Sequence, residues 1–141
     1  KALEGRIGRW FGPVEESVII EAEEALGVPM PHEYRQFLSE YGSGIVGSLE
    51  IYGLGSPRCG VPHLLWLIDD LRQLGLHRPN QLIPIHAEGD GDYCAVLAGP
   101  LASQSTGSIV YWSPRHDDVL DVRPAFSSLD AWLASRLPSI Q

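Results

Sequence analysis

The sequence predicts an α+β fold, with an amino-terminal helical hairpin and a carboxy-terminal helix packed around a largely antiparallel meander sheet. Three observations predict it. Apolar residues recur at helical spacing over residues 15–41 and again over 129–137. Between residues 82 and 122 lie four short runs rich in β-branched and aromatic residues, separated by turn-forming segments. Helical stretches flank this strand-like region instead of alternating with it, which is the pattern of the α+β class.

The first helix covers residues 15–26, with Val18, Ile19, Ala22, Ala25 and Leu26 at helical spacing. Pro13 precedes it, Glu15 and Glu16 suit the positive end of its dipole, and Gly27 can take the left-handed conformation that stops it. Pro29 and Pro31 force an extended connection, because a residue before proline avoids the helical region. A second helix then runs over residues 32–41. Its Tyr34, Phe37, Leu38 and Tyr41 fall at i, i+3, i+4 and i+7, one apolar stripe. So short a connection makes the two helices neighbours with facing stripes.

After Gly42, Ser43 and Gly44 the period changes. Residues 45–54 read as one or two short strands, interrupted at Gly47 and Gly53, and residues 56–62 as a loop. Residues 64–74 are apolar on all sides in their first half, so a helix is expected only over 68–74, ended by Gly75. Strands are expected over 82–87, 93–98, 108–113 and 119–122. The last helix, 129–137, is capped by Ser127 or Ser128, with Leu129, Trp132, Leu133 and Leu137 inward and Pro138 as its stop.

Length and composition narrow the possibilities. A chain of 141 residues suits one domain, here 1–141, and buries enough surface to fold without disulfides or a structural metal. Hydrophobic residues make up 44% and charged residues 20%, well away from the disordered range. No apolar run is long enough to span a bilayer, and no basic segment precedes a long apolar core, so neither a membrane span nor a secretory signal is expected in these residues. Cys59 and Cys94 fit no framework and are expected as free, largely buried thiols in a reducing cytoplasm. The net charge of −8 disfavours nucleic acid and anionic lipid, both of which need Lys and Arg, and favours a basic protein partner.

The ordered motifs resemble the SUKH superfamily, the Knr/Smi-type family of cell-wall assembly regulators and bacterial immunity proteins. The family's form "LG..LP..Y..FL..YG" is matched by Leu26, Gly27, Pro31, Tyr34, Phe37, Leu38, Tyr41 and Gly42. Ile51-Tyr52-Gly53-Leu54 follows where the family has a glycine-bearing strand. Ile83-Pro84-Ile85, Gly89-Asp90-Gly91-Asp92-Tyr93 and Ile109-Val110-Tyr111-Trp112 match its second half. The likeness covers roughly residues 14–135. Met30 replaces the usual leucine, and Gly42-Ser43-Gly44 replaces an asparagine-glycine pair. The resemblance implies a protein-binding module without shared catalytic residues or cofactor. In bacteria such a module neutralises toxin domains, often nucleases; in fungi it acts as a regulatory scaffold.

The candidate site is a pair of acidic turns. Successive turns of a meander alternate ends, so turns 88–92 and 114–118 fall at one end of the sheet, about 10 Å apart with one strand between them. Glu88, Asp90, Asp92, Asp117 and Asp118 would then form an acidic rim near His86 and His116. Three roles are open to it: ordinary turn chemistry, a surface for a basic toxin domain, or a divalent-metal site of an enzyme. The sequence lacks the spaced oxygen ligands of a calcium loop. Cys59 and His63 resemble half a zinc site without the other half. No nucleophile elbow or phosphate cradle is present either, and the expectation is a non-enzymatic, cytoplasmic binding protein with no cofactor.

Overall fold

The computed structural model describes residue 3 and residues 8–75, 82–98, 107–114 and 124–137. Helix α1 (Glu16–Leu26) and helix α2 (His32–Glu40) form the expected hairpin. α1 buries Ile19, Ala22 and Leu26, and α2 buries Tyr34, Phe37 and Leu38. Val18 and Ala25, which share the helical spacing, face solvent, because the contact between the helices is one narrow seam. An ion pair spans the hairpin outside that seam. The Arg35 guanidinium donates to Glu16 Oε1 at 2.7 Å and Glu23 Oε1 at 3.0 Å. Glu23 Oε2 also accepts the Met30 amide at 2.6 Å, so one carboxylate fixes both the second helix and the turn leading to it.

The strands form two antiparallel sheets where one meander was expected. In the first, β1 (Arg9–Trp10), β2 (Gly44–Val46) and β3 (Leu49–Ile51) lie in that order. β1 pairs because β2 begins at a glycine: a Cβ at Gly44 would meet the Trp10 ring at 2.2 Å. Trp10 is half-buried and rests against Tyr41, ring centroids 4.9 Å apart, so it covers the end of α2. Two residues are too few for a periodic signal, which is why no strand was expected there.

Helix α3 (Leu64–Gln73) starts four residues before its predicted beginning. Its first turn is apolar all round because Leu64, Leu67, Ile68 and Leu71 are buried while Leu65 and Trp66 pack at the edge of the core. The start is set by His63, whose Nδ1 accepts the Leu65 amide at 3.1 Å. Burial, followed by the nearby Arg58 charge, holds the His63 imidazole below its usual range and favours the neutral ring that this cap requires.

The second sheet is the expected meander: β4 (Leu82–Ala87), β5 (Tyr93–Leu97), β6 (Ile109–Trp112) and β7 (Pro124–Phe126), in sequence order. The predicted strand over 119–122 lies outside the described residues; the strand that pairs with β6 is β7. The two sheets adjoin where the Tyr52 amide donates to the Ile85 carbonyl at 2.7 Å. Helix α4 (Leu129–Arg136) closes the fold, burying Leu129, Trp132 and Leu133, with Ser128 Oγ accepting the Ala131 amide at 3.0 Å.

Both cysteines are free, but only Cys94 is buried; Cys59, expected inside, is exposed on the loop before α3. We therefore expect a thiol reagent to modify Cys59 at once in the native protein and Cys94 only after denaturation. A non-reducing, denaturing titration should count both thiols, and a count of none would show a disulfide that this geometry does not contain.

Candidate functional site

The first acidic turn is a tight hairpin end. β4 and β5 are closed by the Glu88 amide donating to the Asp92 carbonyl at 2.9 Å. Asp90 is exposed, and its Oδ1 accepts the Asp92 amide at 3.1 Å, the local bond that makes aspartate a turn former. Asp92 is half-buried and accepts the Ser113 hydroxyl at 2.7 Å. Ser113, just after β6, therefore lies beside this turn. Asp117, Asp118 and His116 lie outside the described residues.

Glu88 differs from its neighbours in the turn. It points under the hairpin, where both of its oxygens meet the Arg136 guanidinium at the end of α4, one at 3.2 Å and the other closer. The Cys94 thiol donates to the same carboxylate at 2.9 Å. The Arg136 bond, against the opposing effect of burial, holds the Glu88 carboxyl below its usual range. Burial and the Glu88 charge push the Cys94 thiol up to about 12. Cys94 is thus a protonated core residue and a poor nucleophile. The cluster fastens α4 to the hairpin, and the Glu88 charge is already balanced. His86 is likewise occupied: its Nδ1 lies 2.7 Å from the Glu50 carbonyl, which can only accept, so that nitrogen carries the proton.

Two further surfaces carry acid. On α1, Glu21 and Glu24 face solvent beside Ile20, with Glu15 just before the helix, and Glu16 is shared with Arg35. Between α2 and α4 lies a pocket of about 270 Å³. Leu3, Phe37, Tyr41, Leu129 and Leu133 supply its apolar wall, and Glu33, Glu40 and Asp130 its carboxylates. Glu33 has a structural task as well, since it accepts the Leu129 amide and, at 3.4 Å, the Asp130 amide, capping α4 from the other helix. Among the described residues no three His, Cys, Asp or Glu side chains are placed to hold a metal ion, and no helix is long and apolar enough to cross a membrane.

The structure thus places Glu88, Asp90 and Asp92 in one turn and gives Glu88 a partner of its own. The sequence reading missed Arg136, Glu33 and Glu40. Arg136 and Glu88 are 48 positions apart, and no local pattern links such a pair.

A two-helix hairpin, helix α3 and a closing helix around two small antiparallel sheets make an α+β fold. Residues 4–137 match the family model SUKH_5, described as "SMI1-KNR4 cell-wall", and the chain belongs to that SUKH family. A crystal structure of a protein from Pseudomonas syringae pv. tomato is similar with a TM-score of 0.63. The match covers 87% of this chain and 81% of that one, and at 24% identity it speaks for the fold alone. No curated protein matches the sequence.

Proposed function

We propose that this protein is a non-catalytic binding module that acts as a cytoplasmic immunity protein, seating its acidic surface on a basic toxin domain of the nuclease type. Family membership over residues 4–137 carries the reading, because SUKH domains commonly serve as immunity proteins. The net charge of −8 and the exposed carboxylates of the hairpin turn and of α1 support it, since a nuclease must present a basic surface to its phosphate substrate. Opposite charges steer such a pair together and set the association rate more than the final affinity.

Co-purification with the toxin-like product of a neighbouring gene, together with inhibition of that toxin, tests the reading directly. A neighbourhood without any toxin-like domain counts heavily against it. The family description also mentions the cell wall, which favours a regulatory scaffold as the second reading. A scaffold should engage several partners, and one saturating, high-affinity partner would rule that reading out.

The rim is tested separately by replacing Asp90, Asp92, Asp117 and Asp118 with Asn. Asparagine keeps an oxygen for the Asp92 amide and for the Ser113 hydroxyl, so the turn should hold and stability should change little. Association with the toxin at low salt should slow about tenfold and lose its salt dependence. An unchanged rate in a folded variant would reduce the rim to a pair of turns and move the binding surface to the exposed glutamates of α1.

A further inference from the structure

We propose that His63 is an acid-operated latch. In its neutral form it holds the loop of residues 55–62 against the start of α3, and protonation of its Nδ1 releases that loop. The device belongs to this chain alone and does not depend on the identity of its partner.

The side chain stands where three segments meet. Its Nδ1 accepts the Leu65 amide at 3.1 Å. The His63 amide donates to the Gly60 carbonyl at 2.9 Å, and its carbonyl accepts the Leu67 amide at 3.2 Å, so this residue closes the loop and opens the helix. The Gly53 carbonyl accepts the Leu64 amide at 2.7 Å, and the Gly53 amide donates to the Pro62 carbonyl at 2.9 Å. Those two bonds join the junction to the segment that lies over the end of α2. His63 is 8% exposed, so a proton added to the ring is hardly solvated where it stands.

A proton on Nδ1 acts against this arrangement twice. A nitrogen that accepts the Leu65 amide has to be bare, so the neutral ring carries its hydrogen on Nε2. Once protonated, the Nδ1–H and the Leu65 N–H point at each other, and two donors without an acceptor replace one hydrogen bond. The new charge also stands at the amino-terminal end of α3, where the helix dipole disfavours a cation. Among the described residues, two charged groups act on the ring besides its burial. Burial opposes protonation most, Arg58 on the loop adds to it, and Asp69 on α3 counters them. Asp69 is itself engaged by Arg58 at 3.0 Å, an ion pair that spans the same junction.

Release is local because the loop is lightly held. Gly55, Pro57, Arg58, Cys59 and Val61 are exposed. Ser56 is buried, but its hydroxyl has no hydrogen-bond partner among the described residues. The later turns of α3, by contrast, keep Leu67, Ile68 and Leu71 in the core. The loop and the first turn can therefore open while the rest stays closed. The closed form binds the proton less well than a free imidazole does. The latch is thus fully set above about pH 6.5 and weakens as the pH falls through that value. The open population rises at most about tenfold per pH unit and levels off once the closed ring is protonated too.

The test is NMR of the ¹⁵N-labelled full chain between about pH 7.5 and pH 5. Long-range ¹H–¹⁵N spectra should show the His63 hydrogen on Nε2 and a titration below that of a free histidine. Hydrogen exchange, corrected for the intrinsic rate, should show Leu64 and Leu65 opening up to about tenfold more per pH unit below about 6.5, with β4 and β5 still protected. His63→Asn keeps an acceptor at the cap and cannot take the proton, so its opening should not depend on pH in this range. The other histidines remain in that variant, so their effects are common to both proteins. A hydrogen on Nδ1 at neutral pH, a titration at or above the ordinary value, or wild-type opening that ignores pH would overturn the proposal. Equal pH dependence in His63→Asn, or protection lost evenly over both sheets, would overturn it as well. The ring titration is read in the wild-type chain, so it decides even if the variant does not fold.

Discussion

Phe37→Ala should cost about 3–5 kcal/mol of folding stability, the range for truncation of a buried aromatic side chain. Phe37 is 5% exposed and lies between Tyr34 and Tyr41, with ring centroids 6.1 Å and 5.9 Å away. Removing it therefore strips a ring contact from two neighbours as well as its own burial. Tyr34 cannot move in to fill the space, because its hydroxyl donates to the Tyr52 carbonyl at 2.8 Å and ties α2 to the end of β3. The cavity should stay open, which places the loss toward the upper end of the range. Phe37→Leu keeps most of the volume and should lose less than about 1.5 kcal/mol. Urea denaturation of both variants at constant m-value is the measurement. A loss below about 1 kcal/mol for Phe37→Ala would mean that the α2 stripe faces solvent and that the pairing of α1 with α2 is wrong.

That stripe was legible for a physical reason. Tyr34, Phe37 and Leu38 sit on a nine-residue helix with one buried face, so burial and period agree, and the helix ends fall within a residue of the predicted ones. The α4 cap was legible in the same way, and Ser128 is the residue that accepts the amide. Legibility failed where burial came from more than one side. The first turn of α3 is apolar all round because it is enclosed, and an enclosed helix has no periodic signature. It failed again at β1, whose two residues pair only because Gly44 leaves room for the Trp10 ring. The division into two sheets follows from contacts that join distant parts of the chain, such as the Tyr52 amide to the Ile85 carbonyl.

The candidate site divides along the same line. That Asp90 and Asp92 occupy one turn is local chemistry, visible in the alternation of glycine and aspartate. That Glu88 leaves the rim to pair with Arg136 is not local. An acidic residue in a turn reads as surface charge until the helix that packs beneath it is known. The α2–α4 pocket was beyond the sequence for the same reason. Glu40 reads as one polar position of an amphipathic helix, and its place in a pocket comes only from the second helix opposite it.

Gly53→Ala should be as damaging as the loss of Phe37, although it adds a single methyl group. Gly53 lies where the loop after β3 passes over the end of α2, and its backbone is held on both sides. Its amide donates to the Pro62 carbonyl at 2.9 Å, and its carbonyl accepts the Leu64 amide at 2.7 Å, at the first residue of α3. The next residue, Leu54, donates to the Gly42 carbonyl at 2.8 Å, so the segment is drawn close to Gly42. A Cβ on Gly53 would lie 1.9 Å from that carbonyl oxygen and 3.0 Å from Leu38 Cδ2. The oxygen belongs to the backbone and cannot rotate away, so the methyl group must push apart segments that these hydrogen bonds hold together. Overpacking of a well-filled core costs about 1–3 kcal/mol, and each buried amide or carbonyl left without its partner adds about 1–3 kcal/mol. The expected loss is therefore about 3 kcal/mol or more, with weakened protection of the first turn of α3 in hydrogen exchange. Gly60→Ala is the matched control, because a Cβ there meets nothing within 4 Å. It should change stability by no more than about 0.5 kcal/mol. If both variants unfold at the wild-type denaturant concentration, the close approach of Gly42 and Gly53 does not exist in solution, and the seating of the loop over α2 is wrong.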